Sequence, residues 1–407
     1  MNNTAIKTNK ELGFLFTFII IFVSNDTLMF GTNSNRLFFW IHIGIQVAFF
    51  FFMLTRIRSI SRHTVLFTVT LLFFMMATLL VNRDGEIIKY AYSMLILMMS
   101  AVFISYISKD RFCNAFVGIV YHIALWSIGL FVLWLVAPSL VRYFPSITNE
   151  SDIKYYYLGL GFLEDLDRGV LPRMYGIFRE PGVFACYLIL SLIIQIFFLK
   201  EMNLKRAVII SLAALLTFST AAYILLVLVY VVYFAKQLFN NNPHKKTIRL
   251  LFCISIIFTF VFFSIGPEKI MSAVFNKLKV ENSSRDSRFA SISANFLMFL
   301  ENPLFGKGWN YVEDNFIRFA SIGIYNGNHN TNTFLKLLAL YGIFPFVGII
   351  GALSAFFIKE TKSFVWGMLT ALIWIITLSN EDLTVNVLMY LLPFYAFSKE
   401  TKMEERL

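Results

Sequence analysis

The sequence predicts an all-α integral membrane protein: a single polytopic domain over residues 1–407, with two long external loops at 137–182 and 266–331. Composition is the first reason, since 58% of the residues are hydrophobic and mean hydropathy is +0.70. Soluble domains are usually about 45–50% apolar. Apolar runs are the second reason, because stretches of about the 17–25 residues needed to cross hydrocarbon recur along the chain and give about twelve transmembrane helices. The third is the distribution of basic residues, which fall mostly in short connections on one side of those runs.

The runs lie near 12–30, 37–54, 64–81, 87–108, 112–136, 183–199, 207–219, 221–239, 250–265, 332–358, 363–379 and 383–398. The first is expected to be retained, because Ser24-Asn25-Asp26 follows it in place of a small-residue cleavage site. Residues 207–239 would suit one tilted helix or two short ones, and charge decides between them. Two helices around a turn at Ser219-Thr220 return Lys236, Lys245, Lys246 and Arg249 to the side of Arg56, Arg58, Arg62, Lys109, Arg111, Lys359 and Lys362. That arrangement obeys the positive-inside rule and puts both termini in the cytoplasm.

The net charge of +11 is spread over many such loops, so topology explains it and nucleic acid does not. Cys113, Cys186 and Cys253 are isolated in or beside apolar runs and offer neither a disulfide framework nor metal-ligand spacing. Neither a metal nor a cofactor is expected. There is no internal repeat and no inverted pair of broken helices of the kind that marks many transporters.

Unstructured loops longer than about 12–15 residues are uncommon unless they are functional or disordered. The first loop carries Tyr143, Phe144, Tyr155, Tyr156, Tyr157, Tyr175 and Phe178 among Glu150, Asp152, Glu164, Asp165, Asp167, Arg168, Arg173 and Arg179. Aromatic faces beside carboxylates and guanidinium groups suit sugar rings, although the same composition also suits a loop that packs its own aromatics. The loop ends in Arg173-Met174-Tyr175-Gly176-Ile177-Phe178-Arg179-Glu180-Pro181-Gly182. Pro181 marks the first turn of a helix, with Glu180 at its start where the dipole favours a carboxylate.

In the second loop, Phe289, Ile292, Phe296, Phe299 and Leu300 recur at helical spacing after Arg285-Asp286-Ser287-Arg288, and read as an amphipathic helix on the membrane surface. Asn302-Pro303-Leu304-Phe305-Gly306-Lys307-Gly308-Trp309 ends that helix. Further on, Gly327-Asn328-His329-Asn330-Thr331-Asn332-Thr333 leads from polar loop into apolar helix and sets an imidazole among amides at the bilayer rim. His329 is then either a catalytic base or a helix-start residue beside a cap at Asn330 or Thr331.

Three segments together resemble the bacterial O-antigen polymerase and O-antigen ligase superfamily, and the polymerases (Wzy) in particular. They are Arg173-x-x-Gly176-x-Phe178-x-Glu180-Pro181, Arg288 followed by Asn302-Pro303-Leu304-Phe305-Gly306-x-Gly308, and His329-Asn330-x-x-x-x-Leu335 through Tyr341-Gly342. The resemblance implies a GT-C-like, metal-independent, inverting glycosyltransferase in the bacterial inner membrane, with its active site at the periplasmic face. It implies a glycan donor and acceptor carried on undecaprenyl pyrophosphate, membrane lipid as surroundings and a chain-length regulator protein as a further partner. The family's essential arginines match Arg173 and Arg288, and its loop histidine matches His329. One departure is Ser219-Thr220, where the family often has Ser-Arg; Arg179 or Arg285 could compensate for the missing cation.

The chemistry agrees with that match. Cleaving a sugar–pyrophosphate bond builds negative charge on the leaving group, which preorganised guanidinium groups can stabilise. His329 is the first candidate base for the acceptor hydroxyl and Glu180 the second, with Glu381 or Asp382 a minor option. Arg173 and Arg288 complete the expected catalytic set, while Arg179, Arg285, Asn330, Trp309 and Tyr175 are expected to hold substrate. Two other readings stay open: an O-antigen ligase acting on a lipid A-core acceptor, and a flippase or exporter of lipid-linked sugars. A flippase would place cations along the middles of the spans, which are nearly charge-free here.

Overall fold

A computed structural model describes residues 3–31, 36–57, 60–148, 153–165, 172–199, 202–239, 283–322, 327 and 329–398. The expected span 250–265, the basic linker before it, the segment 266–282, residues 150, 152, 167, 168 and 328, and the side chain of Arg285 lie outside the described residues.

The helices are α1 (Asn3–Phe22), α2 (Leu28–Gly31), α3 (Arg36–Leu54), α4 (Arg62–Asn82), α5 (Ile87–Tyr106), α6 (Lys109–Val136) and α7 (Pro138–Val141). Three strands follow, β1 (Ser146–Thr148), β2 (Lys154–Leu158) and β3 (Gly161–Glu164), and then α8 (Pro181–Phe197), α9 (Leu204–Leu216) and α10 (Thr220–Phe239). The described chain resumes with α11 (Ser283–Glu301), α12 (Gly308–Ala320), α13 (Thr333–Tyr341), α14 (Ile343–Thr361), α15 (Phe364–Leu378) and α16 (Val387–Tyr395).

Among the described residues five helices are long and apolar enough to cross a membrane: Arg62–Asn82, Ile87–Tyr106, Lys109–Val136, Thr220–Leu238 and Ile343–Thr361. Four shorter apolar helices, Glu11–Phe22, Phe38–Leu54, Pro181–Phe197 and Phe364–Leu378, accompany them. The expected count of about twelve is therefore not what these residues display. The run 12–30 stops at Phe22, where Ser24 Oγ folds back to Ile21 O at 2.9 Å and Thr27 Oγ1 to Ser24 O at 3.0 Å. The run 383–398 shrinks to α16, capped by Asn386, whose side chain accepts from Leu388 N at 2.7 Å. The division of 207–239 into α9 and α10 does occur, with Phe218 at φ +50° in the turn.

The all-α expectation also needs correction, because β1, β2 and β3 form a three-stranded antiparallel sheet inside the first loop. Tyr156 and Leu163 of the sheet pack on Leu130 and Trp134 of α6 and Val141 of α7. Outside this sheet and the isolated Thr27–Phe178 bridge, the regular elements among the described residues are helices. At its centre is α8, whose residues from Val183 to Ile194 are all buried, which accounts for an apolar run without a polar face. Around it the outer helices turn large apolar side chains outward, among them Leu66, Val69, Phe73 and Leu80 of α4. A broad exposed apolar surface of this kind fits lipid contact.

The run 332–358 is broken in two at Gly342. Its φ of +79° suits glycine, and a Cβ there would lie 2.3 Å from Leu304 O. Lys307 N donates to Ala339 O at 2.8 Å, Ile343 N to Pro303 O at 2.9 Å and Thr78 Oγ1 to Phe305 O at 2.6 Å. The Asn302–Gly308 and Tyr341-Gly342 motifs are thus two halves of one packing unit, locked to α4. Gly342→Ala should combine left-handed strain with a backbone collision, for a loss of about 1–3 kcal/mol. A clearly lowered thermal midpoint in detergent is the expected result, and an unchanged one would dissolve this account of the motif.

On α11 the apolar stripe faces outward. Phe289, Ile292, Phe296 and Leu300 are exposed, while Ser287, Ala290, Ser291, Ala294, Asn295 and Met298 are buried against the neighbouring α12 and α13. Small residues inside and aromatics outside reverse the pattern of a soluble helix and match a surface helix in lipid.

Candidate active site

The connections that precede α8, precede α13 and join α15 to α16 meet around one cavity of about 480 Å³. Its lining includes Arg179, Glu180, His329, Lys336, Glu381 and Asp382, with Val312, Phe316 and Ile317 of α12 as an apolar wall. Glu313 of the same helix also lines it, so the cavity combines charged groups with an apolar strip along α12.

Glu180 takes the N-cap position of α8 with extended backbone (φ −143°, ψ 149°), ahead of Pro181 at the first turn. Its side chain makes no cap hydrogen bond, so the exposed carboxylate stays available to the cavity. Arg179 beside it is held from several directions: its backbone N donates to Asp26 O at 2.8 Å and its Nη2 to Asp382 O at 3.0 Å. Burial by itself would lower the proton affinity of this guanidinium, but Asp26, Glu180, Asp382 and Glu381 raise it above its ordinary value.

Arg288 extends from α11 toward the same point, with its Nη2 4.0 Å from Glu381 Oε1. The Nε atoms of both Arg288 and Arg179 are buried with no hydrogen-bond partner, leaving donor capacity unspent on each fork. Glu381 is 7% exposed and sits over the start of α8, in space left by Gly182, where a Cβ would come 1.9 Å from Oε1. Burial first and the neighbouring Glu180 second push its carboxyl up to about 8, although Arg288, Arg179 and Arg173 pull the other way.

A carboxyl that gains proton affinity on folding, from the ordinary 4.5 to about 8, binds more protons in the native state between those values. Its contribution to stability is full below the unfolded value and is lost as pH rises through about 8. Thermal midpoints taken from pH 5 to 9 should fall up to about pH 8 and level off above it, and Glu381→Gln should flatten the fall. An identical slope in the variant would count against a buried, protonated Glu381.

Asp382 behaves in the opposite sense. Burial raises its proton affinity, but Lys336, donating from Nζ at 2.7 Å, outweighs this and leaves it below the ordinary range. Lys336 itself is buried on α13, 4.8 Å above the Trp309 ring. The sequence reading missed this lysine because it lies within an apolar run. A lysine in such a run is costly to bury, and that cost was the available signal.

The other expected residues are divided between the cavity and the framework. Arg173 does not line the cavity; its Nε donates to Thr217 O at 3.2 Å, so it supplies a cation to the turn before α10 where the resemblance expects one. Its charge is nonetheless among those that act on Glu381. His329 is exposed at the cavity rim, and Asn330 beside it is tied to α11. Asn330 Nδ2 donates to Asn295 Oδ1 at 2.8 Å, and Asn295 Nδ2 returns to Asn330 Oδ1 at 3.0 Å. The cap of α13 is neither Asn330 nor Thr331 but Asn332, which accepts from Leu335 N at 2.9 Å. Trp309 and Tyr175 are buried away from the lining: the indole donates to Tyr341 Oη at 2.9 Å and the phenol to Glu164 Oε2 at 2.6 Å.

A mostly helical, multi-pass membrane protein with this charged cavity at one end is the class that fold and site define. Residues 207–350 match the family model described as O-antigen ligase. This match supports membership of the O-antigen polymerase and ligase superfamily and, in general terms, an enzyme of glycosyl transfer. The matched stretch runs from α9 into α14 and includes Arg288, His329 and Lys336; Asp26, Arg173, Arg179, Glu180, Glu381 and Asp382 lie outside it. No curated protein and no solved structure matched the chain.

Proposed function

We propose that the chain is an O-antigen polymerase, an inverting glycosyltransferase that joins oligosaccharide repeat units carried on undecaprenyl pyrophosphate at the periplasmic face of the inner membrane. The observation that carries this reading is the convergence of Arg179, Lys336, Glu180 and His329 on one cavity, with Arg288 at 4.0 Å from Glu381, a member of its lining. The cations match the pyrophosphate of a donor, and either Glu180 or His329 can receive the proton of an acceptor hydroxyl. The apolar wall of α12 and the outward stripe of α11 suit the polyprenyl chain and the surrounding lipid.

In this mechanism Arg288 and Arg179, with Lys336 behind them, stabilise charge on the departing phosphate as the anomeric carbon becomes oxocarbenium-like. The acceptor hydroxyl attacks from the opposite side and passes its proton to the base, which inverts the configuration. The form Arg173-x-x-Gly176-x-Phe178-x-Glu180-Pro181 favours a polymerase. The matching family model takes in both activities, so the second reading is a ligase that moves the finished glycan to a lipid A-core acceptor. The lipopolysaccharide of a deletion strain separates the two. Core bearing a single repeat unit is the polymerase result, and bare core would overturn it.

A further inference from the structure

We propose that Asp26, in the turn after α1, is a positioning residue that fixes Arg179 for the anionic leaving group; the proposal rests on the donor-site reading given above. The turn runs antiparallel to the segment that bears Arg179. Leu28 N donates to Ile177 O at 3.0 Å, Thr27 and Phe178 form an antiparallel bridge, and Arg179 N donates to Asp26 O. The backbone edge that sets the direction of Arg179 is therefore provided by the turn.

The carboxylate of Asp26 in turn fixes the edge. It is buried, and its Oδ2 accepts from Tyr187 Oη of α8 at 2.9 Å and from Asn386 Nδ2 at the start of α16. Asn386 Nδ2 also lies 3.0 Å from Tyr187 Oη, so the three groups close a triangle. One carboxylate thereby joins the α1–α2 turn, the central helix and the last helix at the point where Arg179 emerges, and Asp382, which accepts from Arg179, is four residues before Asn386. Removing the acceptor would leave the buried Tyr187 hydroxyl and Asn386 amide with only their mutual contact and free the turn to shift.

The charge on Asp26 makes the proposal sharply testable. Electrostatics alone predicts that any neutral substitution leaves Arg179 more exposed as a cation and tightens anion binding. Positioning predicts the reverse for alanine and a partial recovery for asparagine, which keeps one acceptor oxygen for Tyr187 and Asn386.

The experiment measures binding of undecaprenyl pyrophosphate to the full-length protein in detergent, for wild type, Asp26→Ala, Asp26→Asn, Arg179→Gln and the Asp26→Ala/Arg179→Gln double variant. Binding should weaken about tenfold in Arg179→Gln and in Asp26→Ala, less in Asp26→Asn, and the double variant should be no weaker than Arg179→Gln, as for two residues acting through one contact. Should Asp26→Ala fail to fold, Asp26→Asn and Tyr187→Phe carry the same cycle, each weakening binding in the wild-type background and adding nothing in the Arg179→Gln background. Fully additive losses, or neutral variants that bind as tightly as wild type or tighter, would overturn the role of Asp26. Unchanged binding in Arg179→Gln would instead overturn the donor-site reading on which the proposal rests.

Discussion

Arg288→Lys is expected to lose most of its glycan laddering at matched membrane levels, although the charge is kept. The guanidinium is a planar fork that can grip two phosphate oxygens at once, whereas an ammonium is a compact point charge on a flexible four-carbon stem. Arg288 reaches toward Glu381 from α11 with its Nε unspent, so a lysine would have to bridge the same gap with fewer donors and no fixed plane. Loss of one preorganised donor at a developing anion costs about 2.7–4 kcal/mol, or roughly 10²–10³ in rate. Normal ladders from the lysine variant would reduce Arg288 to a generic cation.

The second large effect concerns the base. Glu180→Gln and His329→Ala should differ, because only the group that takes the acceptor proton contributes the roughly 10²–10⁴-fold of general-base catalysis. From sequence alone, His329 is the first candidate. The site gives Glu180 a stronger position than the chain alone could: it is fixed at the start of α8, makes no cap hydrogen bond and lines the cavity together with Glu381. The glutamine substitution preserves shape and removes basicity, so a dead Glu180→Gln beside an active His329→Ala assigns the base to the carboxylate, and the reverse pair assigns it to the imidazole. A dead pair would leave one as base and the other as a group that orients the acceptor, which pH–rate profiles of the residual activities would separate.

Much of this arrangement was legible in the chain because its signals were local. Pro181 after Glu180 marks the start of α8 whatever surrounds it, and the spacing of Phe289, Ile292, Phe296 and Leu300 announces α11 without reference to its neighbours. What stayed hidden depends on contacts between distant segments. An apolar run gives no sign that Gly342 must bend because Leu304 O occupies the adjoining space. Lys336 disappears into such a run until Asp382 and Trp309 come within reach. Asp26 reads as one polar residue after a span, since its partners Tyr187 and Asn386 are 161 and 360 residues away. The sheet escaped notice because Lys154-Tyr155-Tyr156-Tyr157-Leu158 lacks the strict alternation that signals a half-buried strand.

The paired amides of Asn330 and Asn295 have a chemical consequence of their own. They form a clasp without net charge, so the loop bearing His329 stays seated on α11 whichever protonation state the imidazole takes. The same symmetry makes the clasp vulnerable to hydrolytic ageing. Deamidation of either side chain would replace a donor by an anionic oxygen facing an acceptor 2.8–3.0 Å away, turning two attractions into one attraction and one repulsion.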